Sequence, residues 1–239
     1  MQENNNMKAV KFEDLGLIEY KNAWDYQENL FANYIQIKAE NRDLPEEKQK
    51  EVEGNLLFCE HPHVYTLGKS GEQNNLLIND EFLYKIQATY VKTNRGGDIT
   101  YHGPGQIVGY PIIDLERFSL QVKQYIANLE QSIIRMLKKY GIESERLTGA
   151  TGVWIDTNTN KARKICAIGV KASRFITMHG FALNVNTNLE YFNHINPCGF
   201  IDKGVTSMEK ELGEKQDPEK VKKVLKEKIE EVFGMDLKA

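Results

Sequence analysis

The apolar residues of the chain follow two periods, one helical and one strand-like, and the helical period appears in three segments. Between Tyr20 and Ala39 apolar side chains recur every three or four residues, and the same spacing follows Ser119 and Asp217. This is the period of a helix that buries one face. We therefore predict three long amphipathic helices, the last of which spans residues 217–233.

Residues that favour helix ends flank two of these segments. Asp217 is a good N-cap and Pro218 suits the first helical position, so the third helix should begin here. Ser119 can cap the second helix in the same way, and Gly141 can end it. These signals predict both ends of the second helix and the start of the third.

The strand-like period appears in short runs rich in β-branched and aromatic residues, separated by Gly, Pro and Asn. These runs are Asn55 to Glu60, Val64 to Leu67, Ala88 to Thr93, Ile107 to Leu115, Gly152 to Ile155, Lys164 to Lys171 and Met178 to Val185. Strands that follow one another with a few helices between them indicate an α+β fold. Without a repeat or a linker, we expect one domain over residues 1–239, with residues 1–8 as a loose tail.

The composition is that of an ordinary globular protein, with 41% hydrophobic and 27% charged residues and a formal net charge of -3. This charge does not favour a nucleic-acid or anionic-membrane partner. One candidate basic cluster could contact an acidic partner, although a solvated charged face is the commoner explanation of such a run: Lys161, Arg163, Lys164, Lys171 and Arg174.

No segment has the length and hydrophobicity of a membrane span or a secretory signal. The three cysteines, Cys59, Cys166 and Cys198, are odd in number and do not make a disulfide framework. We therefore expect a cytoplasmic protein with reduced thiols.

The stretch from Arg95 to Leu115, RGGDITYHGPGQIVGYPIIDL, concentrates glycine, proline and titratable residues. Clustered glycines let a backbone approach a ligand closely or adopt a positive φ. A long surface loop would also be rich in glycine and proline. Because Arg95 and His102 lie within the same segment, we interpret it as part of a binding site.

The cysteines differ in their surroundings. Cys198 follows Pro197 where neither period continues, so it should lie in a loop, either as a nucleophile or as an idle thiol. Cys166 and Cys59 lie in β-prone runs and are predicted to fill the core.

Two further motifs have weak functional interpretations. Cys59, His61 and His63 would share one strand face, as metal ligands can, but Pro62 and the lack of a fourth ligand favour a hydrogen-bonded histidine near a cleft. The segment LGKS at 67–70 resembles the end of a phosphate loop, yet His63 stands where the first glycine is required. No nucleotide motif is present, so we expect no ATP, metal or other cofactor.

Five segments resemble, in the same order, those of the lipoyl(octanoyl) transferases, the octanoyl-carrier-protein:protein N-octanoyltransferases of lipoate synthesis. They are HPHVYTLGKS (61–70), RGGDITYHGPGQIVGYP (95–111), RKICAIGVK (163–171), HGFALNVN (179–186) and NPCGFIDKGVTSME (196–209). The resemblance covers about residues 55 to 210. It implies a biotin/lipoate protein ligase-like fold, a mixed sheet backed by helices.

The resemblance also implies roles for particular residues. Cys198 corresponds to the acyl-carrying nucleophile, and Lys164 corresponds to its lysine partner. Backbone N–H groups at Cys198 and Gly199, or at a His179–Gly180 turn, are candidates for an oxyanion hole, and His102 and His179 for orienting substrate. The implied substrate-binding residues are Arg95, Gly96, Gly97, Asp98, Ile99, Thr100, Tyr101, His102, Ala167, Ile168, Gly169, Gly180, Phe181 and Ala182.

The implied reaction moves an octanoyl group from octanoyl-acyl carrier protein, through a cysteine thioester, to the lysine of a lipoyl domain. The implied acceptors are the lipoyl domains of 2-oxo acid dehydrogenase complexes and the glycine cleavage H protein. Two alternatives remain open at this point. One is an ATP-dependent lipoate-protein ligase on the same fold, and the other is a non-catalytic acyl or lipoyl-domain binding protein.

Overall fold

A computed structural model describes residues 7–196 and 203–238. Five α-helices and twelve strands occur in these ranges. The helices are α1 (Tyr20–Asn41), α2 (Asp80–Lys85), α3 (Val122–Lys139), α4 (Met208–Leu212) and α5 (Pro218–Phe233). The strands are β1 (Lys8–Leu17), β2 (Asn55–Glu60), β3 (Val64–Leu67), β4 (Thr89–Lys92), β5 (Ile99–His102), β6 (Gln106–Ile112), β7 (Glu145–Leu147), β8 (Ala150–Ile155), β9 (Arg163–Ser173), β10 (Ile176–Asn184), β11 (Gly204–Val205) and β12 (Met235–Lys238).

The strands form one large and one small sheet. The large sheet has the order β12-β1-β2-β6-β10-β9-β8-β7, and β11 pairs with β9. Pairing is parallel between β12 and β1, β1 and β2, and β9 and β11, and antiparallel elsewhere. The small sheet has the order β4-β3-β5. The predicted α+β class with a mixed sheet is confirmed.

Helices cover both faces of the large sheet. Leu56 and Phe58 of β2 point into a core shared with α3 and α5, whereas Leu57 and Cys59 point into a second core under α1. Successive strand residues face opposite sides, so a strand that is covered on both faces is apolar at every position. This explains the uninterrupted apolar run of β2.

The predicted helices are confirmed, but one cap is wrong. The side chain of Asp217 accepts hydrogen bonds from the N–H groups of Glu219 and Lys220, and Gly141 follows α3 with φ +76°. Ser119 instead lies in a turn with φ +54°, and its N–H donates to Glu116 O. Gln121 precedes α3 without a side-chain cap, because the 115–120 turn separates Ser119 from the helix.

The strands at the two ends of the chain were not predicted. Residues 1–8 were expected to be a tail, yet Lys8 begins β1 and its N–H donates to Gly234 O. Residues 1–6 lie outside the described ranges. The charged sequence of β1 has weak alternation, so its strand conformation depends on pairing with β2 and β12.

Strand β5 was also missed, because its residues Ile99–His102 lie inside the glycine-rich segment. Among the helices of the described ranges, none is long and apolar enough to cross a membrane.

Candidate active site

A cavity of about 700 Å³ opens between the glycine-rich segment and strands β8, β9 and β10. Most of the residues implied as substrate-binding lie on its wall, together with Lys164 and His179. Those on the wall are Arg95, Gly97, Asp98, Ile99, Thr100, His102, Ala167, Ile168, Gly169, Gly180, Phe181 and Ala182. Gly96 and Tyr101 do not line it. The structure thus brings the residues that line the wall together around one cavity. Contact of these wall residues with a substrate stays a prediction.

Gly96 and Tyr101 support the wall from behind. The N–H of Gly96 donates to Val170 O at 2.9 Å and joins the segment to β9. The side chain of Tyr101 is fully buried, and its hydroxyl lies 2.7 Å from His63 Nδ1.

The backbone of the LGKS segment (67–70) forms hydrogen bonds to the glycine-rich segment. The N–H of Gly68 donates to Asp98 O, that of Lys69 to Arg95 O and that of Ser70 to Gly97 O. A Cβ on Gly68 would lie 2.2 Å from Gly97 O, so only glycine allows this approach. These backbone N–H groups are therefore engaged within the protein.

Arg95 places a buried positive charge in the wall. Its guanidinium donates to Thr66 O at 2.6 Å, to Thr66 Oγ1 and to Gly96 O. Burial lowers the pKa of Arg95, but an arginine remains protonated in proteins. Its charge also contributes to lowering the pKa values of His102, His179 and Lys164.

His102 is held as a neutral imidazole. Burial, with smaller contributions from His61 and Arg95, lowers its pKa to about 3. The amide nitrogen of Gln106 donates to Tyr101 O and Asn184 Oδ1, so its Oε1 must accept the proton of His102 Nδ1 at 2.7 Å. This contact fixes the tautomer of His102.

His179 is also neutral, since burial and the Arg95 charge lower its pKa to about 3. Glu28 Oε1 accepts from Asn94 Nδ2 at 2.7 Å, which directs Asn94 Oδ1 toward His179 Nε2 at 2.6 Å. Nε2 is therefore the protonated nitrogen. Nδ1 is a buried acceptor without a hydrogen-bond partner in the described part of the chain.

The expected His179–Gly180 turn is wrong, because both residues lie within β10. His179 has φ +57° inside this strand, and its N–H donates to Gln27 Oε1 at 3.0 Å. That N–H is therefore occupied and cannot serve an oxyanion hole without losing this bond.

Lys164 extends from β9 onto the cavity wall. Burial lowers the pKa of its ammonium, the neighbouring Cys166 opposes this effect, and Arg95 adds to it. A lowered pKa makes it easier for a lysine to give up and accept a proton during catalysis. Cys198 lies outside the described residues, so its pairing with Lys164 stays a prediction.

Cys59 and Cys166 are both fully buried free thiols, which agrees with the predicted core positions. Burial raises the pKa of each thiol well above the usual value. Neither thiol is suited to act as a nucleophile.

His61 and His63 lie in the connection between β2 and β3 rather than on one strand face, and both are hydrogen-bonded, as predicted. His61 contacts Ile18 O at 2.7 Å and Tyr110 Oη at 2.8 Å, and His63 stacks on Tyr191 with ring centres 4.1 Å apart. The described residues hold no group of three metal-ligating side chains.

The candidate basic cluster is not one free surface. Arg163 forms ion pairs with Glu211 and Asp156, and Lys171 pairs with Glu28 at 3.3 Å. Lys164 belongs to the cavity wall. The sequence placed these residues together, but alternating strand positions send them to different partners.

Sequence analysis missed several wall residues, among them Tyr20, Gln106, Trp154 and Asn184. Tyr20 stacks on His102 with ring centres 5.8 Å apart. Trp154 lies within a run recognised as a strand, but the pattern did not indicate which strand would be its neighbour. Only the pairing of β8 with β9 places Trp154 beside Lys164.

Solved structures of lipoate ligases share this fold. A bipartite lipoate protein ligase from Thermoplasma acidophilum aligns with a TM-score of 0.66 and 14% identity, covering 96% of this chain and 86% of that chain. Lipoate-protein ligase A bound with ATP aligns with a TM-score of 0.65 and 14% identity, covering 96% and 87%. At such low identity these likenesses concern the fold alone.

The sequence relatives are much more similar. A protein of Cytophaga hutchinsonii named octanoyltransferase is 52% identical, covering 99% of this chain and 97% of its own length. An octanoyltransferase of Flavobacterium psychrophilum is 55% identical, covering 92% and 94%. The family model of the lipoyl protein ligase A/B catalytic domain matches residues 19–230. This chain therefore belongs to the lipoyl protein ligase A/B catalytic-domain family, and its octanoyltransferase relatives match it over nearly its full length.

Proposed function

We propose that this protein is an octanoyltransferase of lipoate biosynthesis, which moves an octanoyl group from octanoyl-acyl carrier protein to a lysine of a lipoyl domain. The observation that supports this most directly is a partly apolar cavity with a half-buried lysine on its wall, in a chain whose relatives bear that name. The acceptors would be lipoyl domains of 2-oxo acid dehydrogenase complexes and the glycine cleavage H protein.

The apolar part of the wall suits a fatty acyl chain. Ile168, Phe181 and Ala182 lie on it and line the same cavity as Lys164. Each buried methylene contributes about 0.8 kcal/mol, so the six methylenes of an octanoyl chain contribute at most roughly 5 kcal/mol. Chains that differ by one methylene are separated only modestly by such a site.

The first step would be thioester exchange. The Cys198 thiolate attacks the carbonyl carbon of the carrier thioester, the C–S bond to the carrier breaks, and the carrier leaves as a thiol after taking up a proton. The Lys164 ammonium would favour the thiolate over the thiol by its charge. One thioester replaces another, so this step needs no nucleotide.

In the second step the lipoyl-domain amine attacks octanoyl-Cys198, forms an amide and releases the cysteine thiolate. The amine must lose a proton, and Lys164 can accept it once acylation has removed the thiolate charge. Burial and Arg95 already favour the neutral form of Lys164, which supports this role. The pair would titrate together, so neither pKa belongs to one residue alone.

We also propose that the protein acts in a reducing cytoplasm. The free thiols of Cys59 and Cys166 and the proposed thiolate chemistry support this assignment.

The test is the mass of the protein after incubation with octanoyl-acyl carrier protein in the absence of ATP. Wild type and Cys166→Ala should gain one octanoyl group on the Cys198 peptide, and an added lipoyl domain should remove it. Cys198→Ser should gain no thioester. An adduct that persists on another residue would contradict the assignment of Cys198, and transfer that requires ATP and free acid would favour ligation.

A further inference from the structure

Two residues of β8 contact the side chain of Lys164. Its Nζ lies 4.6 Å from the centre of the Trp154 ring. A Cβ placed on Gly152 would lie 3.5 Å from both Cδ and Cε of Lys164. The aliphatic part of the lysine therefore passes over Gly152, and its ammonium ends over the indole.

An irregular pairing of β8 with β9 directs Lys164 to this position. Val153 is opposite Cys166, but Trp154 is opposite Lys164, so β9 contains one extra residue between the two pairs. Such a bulge changes the direction of the neighbouring side chains. Ile165 and Cys166 are both fully buried, while Lys164 lines the cavity.

Gly152 is adapted to this arrangement in two ways. Its φ of +118° is unfavourable for any other residue, and an added Cβ would lie 2.6 Å from Cys166 O. Its N–H donates to Glu130 Oε1 of α3 at 3.0 Å, and the other carboxylate oxygen of Glu130 accepts from Arg146 Nε. Glu130 of α3 thus fixes the backbone position of Gly152.

Trp154 is equally fixed. Its side chain is buried, and Nε1 donates to Ala150 O at 3.3 Å. A cation over an indole face is attracted to it, most strongly where water is excluded. The ring therefore restrains the position of the Lys164 ammonium and favours its charged form.

We propose that Gly152 and Trp154 are positioning residues of the transfer reaction, since Gly152 lets β8 approach β9 closely enough to place Trp154 opposite Lys164, and Trp154 holds the lysine ammonium on the cavity wall. This inference rests on the proposed function, in which Lys164 exchanges the proton. Arg95 and Cys166 also act on the charge of Lys164, and both stay unchanged in the variants below.

The role of Gly152 is tested with Gly152→Ala. The added methyl should clash with Cys166 O and move β8 away from β9. Lys164 then loses its position over the Trp154 ring, so kcat for transfer should fall about 100-fold while KM for the lipoyl domain stays within about twofold. Gly141→Ala is the matched control, because Gly141 has φ +76° but open space around it. Equal losses of kcat in the two variants would overturn the proposal.

The role of Trp154 is tested with Trp154→Leu and Trp154→Phe. Without an aromatic face the ratio of ammonium to amine at a given pH should fall about tenfold, so the transfer rate should rise at lower pH. Trp154→Phe should restore much of the wild-type profile. Ile133→Ala, which removes buried volume elsewhere in the core, is the control for lost stability. A Trp154→Leu profile that is only reduced in height would overturn the proposal.

A measurement without substrate separates this inference from the proposed function. The ¹³Cε resonance of Lys164, assigned with Lys164→Arg, is titrated by NMR in wild type and Trp154→Leu. A lower midpoint in the variant supports the contact even if no octanoyl transfer occurs. An unchanged midpoint refutes it even if octanoyl transfer is confirmed.

Discussion

At the scale of single residues, Lys164 is subject to opposing effects on its charge. Burial and the Arg95 cation favour the amine, whereas the face of Trp154 favours the ammonium. A group that must give and accept a proton in one catalytic cycle needs such a balance. This balance is the physical basis for its proposed role.

Substitution of Lys164 by arginine should separate the two proposed steps. Arginine retains a positive charge that can favour the Cys198 thiolate, but it cannot be deprotonated. We expect Lys164→Arg to form acyl-enzyme within about tenfold of the wild-type rate and to lose roughly 100-fold or more in transfer to the amine. Rapid-quench mass spectrometry of both steps is the measurement.

Lys164→Gln is the matched variant without charge, and it should lose both steps. If Lys164→Arg instead transfers octanoyl at the wild-type rate, Lys164 does not accept the amine proton.

At the scale of elements, the ends of helices are decided by local hydrogen bonds, and α5 is the clearest case. Asp217 accepts from the N–H groups of Glu219 and Lys220, and Gly234 follows the helix with φ +65°. The inner face of α5 packs on the large sheet through residues such as Val221, Leu225 and Ile229. The N-cap and the buried apolar face therefore both stabilise α5.

Removal of the α5 cap should lower stability. Asp217→Ala deletes the acceptor for two N–H groups and should cost about 1 kcal/mol of the free energy of unfolding. Asp217→Asn keeps an acceptor and should cost less. Urea unfolding followed by circular dichroism gives both values, and equal losses would show that the hydrogen bonds of the cap are not the cause.

At the scale of the whole molecule, three buried histidines lie around the cavity and its supports. Burial lowers the pKa of His61 to about 4 and those of His102 and His179 to about 3. An unfolded histidine has a pKa near 6.5. Between these values the unfolded chain binds more protons than the folded protein, so stability falls as the pH decreases.

Acidification from pH 7 to pH 5 should therefore destabilise the protein by about 2 kcal/mol for each of the three histidines. His102→Gln removes one of these groups and should reduce the pH dependence by about one third. Urea unfolding at pH 5, 6 and 7 measures the effect. An identical slope in wild type and His102→Gln would contradict the neutral state assigned to His102.

The local features of this protein could be predicted from its amino-acid sequence. The helical period located α1, α3 and α5, and the strand runs located most of the large sheet, because burial of one face repeats at short intervals along the chain. Five ordered motifs indicated the family, and the similarity to octanoyltransferases over nearly the full length confirms that the chain belongs with them. The glycines of residues 95–105 indicated a binding segment because close backbone approach depends on the residue type itself.

Contacts between residues that are distant in sequence could be read only from the folded structure. The strand conformation of β1 and β12 depends on pairing between the two ends of the chain. The side-chain oxygen of Gln27 accepts a hydrogen bond from the N–H of His179. Trp154 contacts Lys164 only because β8 pairs with β9 through a bulge. Register, bulges and contacts between elements are set by the packing of the whole sheet, so no local pattern could have predicted them.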